Sequence, residues 1–353
     1  METPETEANE NYIQEFKGGS MAKTFLIKKD NNLLVRKEVK DTSKLGLDKL
    51  EKQADWILDL EPEVATIFPV IEMKSFQNDF GYYDMSYHNM PSFRDYLINT
   101  DSINNDIVEI VKEIVSFGAM ISSKEETEST KDKSTYIKKL HFDKMLKRCC
   151  IVTQKNEIFN EFFNTPSINI NGSLYDNFNI IREKILNDSE FMELLSPKKW
   201  YRSHGDFTFQ NILTDGKQFK IIDPRGEGED SIYYDLSKLF QSCKGKYDLF
   251  IDGNYSVNYS LNDNSIDYKI IEHEELFNDI FEVIKTEIPK VFNLEKEWEI
   301  ITLFYEASHF VSMVPFRYEE NLPFTLACYA IGIQKLNEVF EKWNKVKQHK
   351  EEL

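Results

Sequence analysis

Ser203-His204-Gly205-Asp206-Phe207-Thr208-Phe209-Gln210-Asn211-Ile212-Leu213, followed by Phe219-Lys220-Ile221-Ile222-Asp223-Pro224, is the stretch that decides the fold. Asp206 falls in a short turn, Asn211 follows closely, and an apolar β-hairpin then ends on a second acid, Asp223. The interval from Asn211 to Asp223 suits a hairpin that returns the chain to its starting point. Two carboxylates and one amide held this way suit phosphate chemistry with a divalent metal. One carboxylate can take a proton from a hydroxyl, while the other and the amide hold Mg²⁺ on a nucleoside triphosphate. Magnesium commonly takes one or two carboxylates besides phosphate and water, so this small ligand set suffices.

Upstream, Tyr12–Phe16 and Thr24–Lys29 read as strands around the turn Lys17-Gly18-Gly19-Ser20. Asp30-Asn31-Asn32 turns the chain into a third strand, Leu33–Val39, completing a meander. Ser43–Leu60 is helical, with Leu47, Leu50, Ala54, Ile57 and Leu58 as its apolar stripe, and Glu61-Pro62 stops it. Two more strands are expected around Phe68–Met73 and Tyr82–Tyr87, and Pro91-Ser92 opens a helix. Residues 101–200 read as mostly helical, 240–268 as irregular and Asn/Asp-rich, and the rest as helices broken at Pro315 and Pro323.

On that strand pattern, Val35, Lys37 and Val39 share a face, so Lys37 can reach a phosphate. Arg36 points the opposite way, and a one-residue slip would exchange the two. Glu51 lies beside Leu47, Ala54 and Leu58 at helical spacing and can face inward as the acidic partner of Lys37. Gly18, Gly19 and Ser20 permit close backbone approach to an anion and can cover the phosphates, the alternative being a plain hairpin turn.

The HGDxxxxN pattern at 204–211, the acid of Ile222-Asp223-Pro224 and Tyr233-Tyr234-Asp235-Leu236 resemble the aminoglycoside phosphotransferase and choline kinase-like enzymes. That family shares the protein kinase-like fold. The resemblance implies a bilobal α+β protein: a small β-rich nucleotide-binding lobe over 11–88, and a mostly helical catalytic and acceptor-binding lobe over 89–345. Tails are expected at 1–10 and 346–353. It implies ATP and Mg²⁺ as cofactors, Asp206 as catalytic base, Asn211 and Asp223 as metal ligands, and His204 as a brace of the catalytic loop. Met85, Ser86 and His88 would form the adenine-binding hinge, with Lys37 on the α/β-phosphates. Spacing from Trp56 in similar sequences puts Gln53, not Glu51, at the position of the usual acid, so both stay open. The wording HGDFTFQN and IDPRG also resembles bacterial members linked to capsule or surface-sugar biosynthesis.

Some positions depart from the family. Thr208 stands where many relatives carry a basic residue, and Arg225 follows Asp223-Pro224 where relatives often have an aromatic residue or glycine. Arg225 can bind a phosphate through its planar fork or pair with Glu229 or Asp230. Asp235 is expected to cap the following helix. Tyr305, Glu306, His309 and Arg317 are candidates for an acceptor wall.

Composition bounds the alternatives. With 353 residues and 41% hydrophobic content the chain can build two cores. A net charge of −18 argues against nucleic acid or an anionic membrane as default partner. Four cysteines without metal-ligand spacing suit a reducing compartment, and an acidic N-terminus lacks the form of a secretory signal. The expectation is a cytoplasmic kinase acting on a small-molecule hydroxyl, of a sugar, amino alcohol or aminoglycoside-like acceptor. A nucleotide-binding pseudokinase or regulatory module, and a transferase that modifies a protein, are the alternatives.

Overall fold

The computed structural model describes residues 11–16, 21–126, 132–318 and 321–352. The chain divides into two compact units. One runs up to Asn99 and takes in Arg202–Gly228; the other comprises Thr100–Tyr201 and Glu229–Leu353.

The first unit is built on a five-stranded sheet of β1 (Asn11–Phe16), β2 (Lys23–Lys29), β3 (Asn32–Lys40), β4 (Ile71–Gln77) and β5 (Phe80–Ser86), in the order β1-β2-β3-β5-β4. Every neighbouring pair is antiparallel. The β2–β3 hairpin closes through Asp30 and Asn31 at φ 48° and 69°, the left-handed pair that a two-residue turn demands. Helix α1 (Leu45–Leu58) follows β3, and Asp41 opens it: its carboxylate accepts from the Ser43 and Gly46 N–H groups at 2.8 and 2.6 Å. Leu47, Leu50 and Ala54 then bury against Val39, Tyr83 and Met85. Leu58, expected in that stripe, is exposed. The βββαββ order therefore appears as read, with one added turn of helix at Pro62–Ala65.

The segment Arg202–Gly228 completes this unit through a hairpin of Ile212–Thr214 and Phe219–Ile221. The Ile221 N–H donates to the Ile67 carbonyl at 2.7 Å, and the Thr214 N–H to the Pro91 carbonyl at 2.9 Å. Phe209 packs at 4.9 Å, ring tilted, on Phe93, which opens a short helix (Phe93–Ile98) capped by Ser92.

The second unit is mainly helical, with the long helices Asn105–Ile121, Trp298–Tyr318 and Leu322–Glu351. Pro315 sits within the last turn of its helix, and Pro323 lies in the first turn of the next, where a missing N–H is harmless. The expected tail from 346 is the end of that last helix, held by Lys347 on Asp188 at 2.5 Å. Residues 240–268, read as irregular, contain the short helix Tyr247–Ile251 and the strand Tyr255–Ser260. With Ser265–Ile270, Ser167–Ile170 and Ser173–Asp176 this strand forms a four-stranded sheet. Asn171-Gly172, at φ 49° and 78° between two paired strands, is the hairpin signal that marks it. No described helix is long and apolar enough to cross a membrane.

Candidate active site

The turn that carries Asp206 is pinned from several sides. Arg202 leads into it and binds the Asp59 carbonyl at 2.8 Å and the Asp59 carboxylate, at the C-terminal end of α1. His204 is fully buried between Trp56 at 6.0 Å and Phe68 at 6.2 Å. Its Nε2 meets the Ile222 carbonyl at 2.9 Å, which can only accept, and its Nδ1 accepts the Asp206 N–H at 3.3 Å. Those two bonds define a neutral ring. Burial pushes its pKa down to about 4, against the pull of Asp206 and Asp223. His204 thus ties the Asp206 turn to the strand end that carries Asp223.

Gly205, at φ 80°, makes the turn possible, and the stem of Arg225 lies where a side chain at this position would project. Asn211 then reaches back: its Nδ2 donates to the Asp206 carbonyl at 2.8 Å and to the Asp206 carboxylate at 3.0 Å. With Nδ2 so used, the amide presents Oδ1 as its remaining oxygen. The Ile222 N–H donates to the Asn211 carbonyl at 2.9 Å, bringing Asp223 alongside. Asp223 itself has φ 62°.

Lys37 Nζ lies 2.5 Å from Asp223 Oδ1, and its side chain is only 6% exposed. Burial works against the ammonium, but Asp223 outweighs it and holds the group charged, above its ordinary pKa. The β3–β5 register sets Tyr83 opposite Lys37, and burial pushes that phenol up to about 12. Arg36 turns to the other face, where it makes a buried bidentate pair with Asp84 at 2.7 and 2.8 Å. No slip exchanges the two cations.

Glu51 requires a correction. It is exposed, whereas Gln53 is among the buried residues of α1. The acid against Lys37 is Asp223, and no acid is among the buried residues of α1. The reason is the phase of the helix: Trp56 and Ile57 turn inward, which carries Leu58 and Glu51 outward together. Gly226, at φ 71°, packs directly on α1: a Cβ there would lie 2.6 Å from Gln53 N and Lys52 C.

Met85 is buried in the core between β5 and α1. Ser86 closes the strand, donating its N–H to the Val70 carbonyl at 2.9 Å, and its hydroxyl lies 3.1 Å from His88 Nε2. Burial, with the Lys220 charge, lowers the His88 pKa. Gly18, Gly19 and Ser20 lie outside the described residues.

In the second unit, Ser231 rather than Asp235 caps helix Ile232–Cys243, accepting from the Tyr233 N–H. Glu306 and His309 face the interior: Glu306 pairs with Lys335 at 2.8 Å, and His309 meets the Ser237 hydroxyl at 2.9 Å. Residues missed from sequence are those that brace the turn from afar, Trp56, Phe68 and Arg202, and Tyr83 beside Lys37. A buried Trp near the end of α1 was the one available signal.

No protein-family model matches the chain, and no curated protein matches it by sequence. Among solved structures, a candidate fructosamine-3-kinase from Haemophilus somnus 129PT is similar at TM-score 0.54 and 11% identity, over 92% of each chain. A choline/ethanolamine kinase family protein from Mesorhizobium loti is similar at TM-score 0.48 and 9% identity, over 95% of this chain and 89% of that one. A spectinomycin phosphotransferase in complex with ADP and spectinomycin follows at TM-score 0.42 and 12% identity, over 94% and 92%. The first likeness, together with the N-terminal sheet and larger helical part, shows that the chain has the protein kinase-like α+β fold.

Proposed function

We propose that this protein is a kinase that transfers the γ-phosphate of ATP, with Mg²⁺, to a hydroxyl of a small molecule. The observation that carries the reading is the bond from Asn211 to Asp206, next to Asp223 at 2.5 Å from Lys37. Asp206 would take the acceptor proton, and Asn211 would hold its carboxylate in one orientation. Asn211 Oδ1 and the Asp223 carboxylate fit magnesium, a hard ion that selects such oxygens. The ion, when bound, would offset charge on the phosphates. Lys37 would serve the α/β-phosphates, and the Ser86–His88 segment the adenine.

In this reading residues 11–88 bind nucleotide and 89–345 bind the acceptor. The similar structure named for fructosamine chemistry supports a small acceptor. Among acceptors, a sugar or amino alcohol is favoured by the capsule-type wording of the motifs, and the acidic chain also suits a cationic aminoglycoside. The second reading is a nucleotide-binding regulatory module. The absence of an acid among the buried residues of α1 favours it.

The test follows label from γ- and α-labelled ATP over a panel of sugars, amino alcohols and aminoglycosides. Replacing Asp206 by Asn should cut γ-transfer by about 10²–10⁴-fold and leave nucleotide affinity intact. Unchanged transfer by the variant excludes Asp206 as the base. Nucleotide binding without label in any product favours the regulatory reading.

A further inference from the structure

We infer that Lys37 competes with the metal for Asp223, so that the chain takes up a divalent cation only together with a nucleotide; this rests on the phosphotransferase reading. Lys37 Nζ sits 2.5 Å from Oδ1 of the carboxylate that would hold the cation. A positive charge at that distance lowers the affinity of the same oxygen for a second one.

The Asp223 side chain is 35% exposed, but its position is set by the chain that carries it. Its backbone is held on one side by Ile222 on Asn211 at 2.9 Å and on the other by Arg225 on His204 at 2.8 Å. Gly226 then abuts the α1 backbone. Exchange of partners therefore falls to Lys37, whose flexible stem can swing its ammonium away.

The ammonium needs a new counter-charge when it leaves. Leu47, Leu50, Gln53, Ala54 and Ile57 are buried on α1, and Glu51 is exposed, so that helix offers no buried acid to receive it. A bare cation at Asp223 would strand a buried ammonium, a strongly unfavourable state. A cation carrying a nucleotide brings phosphates to replace the lost carboxylate. Metal and nucleotide then bind with positive coupling, and Lys37 is the source of it.

The experiment measures Mn²⁺ binding to the full chain without nucleotide, by the paramagnetic resonance signal of free Mn²⁺. Lys37→Met should bind about tenfold or more tightly than the unaltered chain. Lys37→Arg, which keeps the charge, should stay as weak as the unaltered chain. Adding Asp223→Asn to Lys37→Met should remove the gain. Circular dichroism establishes that each variant is folded, and Lys37→Gln replaces Lys37→Met if the latter is not.

A second arm adds a non-hydrolysable ATP analogue to the unaltered chain. Uptake of Mn²⁺ with the analogue, but no gain in Lys37→Met, overturns the competition and leaves the phosphotransferase reading standing. A gain in Lys37→Arg equal to that in Lys37→Met also overturns it, because charge is then not the cause. No uptake of Mn²⁺ even with the analogue overturns both.

Discussion

Gly226 and Gly228 form a matched pair for testing how the loop after Asp223 is held to α1. Both have left-handed backbones, at φ 71° and 85°. A Cβ on Gly228 would meet nothing within 4 Å, whereas one on Gly226 would lie 2.6 Å from Gln53 N and 2.7 Å from the Lys52 carbonyl oxygen. Those are backbone atoms of a helix and cannot rotate aside. Gly228→Ala should therefore carry only the left-handed penalty, about 1–2 kcal/mol. Gly226→Ala adds overpacking of about 1–3 kcal/mol, because α1 or the loop must move. The assay is amide hydrogen exchange of α1 peptides under native conditions, which reads local opening rather than a global unfolding of two units. Gly226→Ala should accelerate exchange in α1 by about tenfold or more relative to Gly228→Ala, since each 1.4 kcal/mol is a factor of ten. Equal exchange in the two variants would refute the contact as the source of rigidity.

Two further perturbations address the braces. The pKa of His204, lowered to about 4, lies below the usual 6.5, so the unfolded chain takes up a proton first as pH falls. Stability from this group is present above pH 6.5 and is lost as pH falls toward 4; a urea series should show about 3 kcal/mol of loss that His204→Gln lacks. A flat profile in the parent chain would remove the buried neutral ring. Arg36→Met leaves Asp84 fully buried, with Lys29 4.0 Å away, and should destabilise the first unit by about 3–5 kcal/mol. The double variant with Asp84→Leu should recover much of that loss in a denaturation cycle, and additivity would contradict a coupled pair.

The arrangement of Asp206, Asn211 and Asp223 was legible because its geometry is local. Asp206, Asn211 and Asp223 are joined by one turn and one hairpin, so spacing alone carries them to the same place. The alternation in β3 likewise separates Lys37 from Arg36. The orientation of α1 was harder. Leu47, Leu50, Ala54 and Ile57 allow either Glu51 or Gln53 near the edge of the stripe, and counting Leu58 as core tips the choice to Glu51. Packing of Trp56 beside His204 rotates the buried arc the other way, and that contact spans distant chain segments. The four-stranded sheet was hidden for a similar reason: a parallel ladder joins Asn169 and Ile170 to Ser265 and Ile266, across many intervening helices.

The first unit is discontinuous in the chain, and this bears on its birth at the ribosome. The five-stranded sheet and α1 emerge early, but Ile67, Trp56 and Phe68 acquire their partners Ile221 and His204 only once residues up to Gly228 have been made. At about 5–20 residues per second that interval lasts on the order of ten seconds. During it Trp56, Ile67 and Phe68 wait without the partners that later cover them, while the helices of the second unit are still being synthesised.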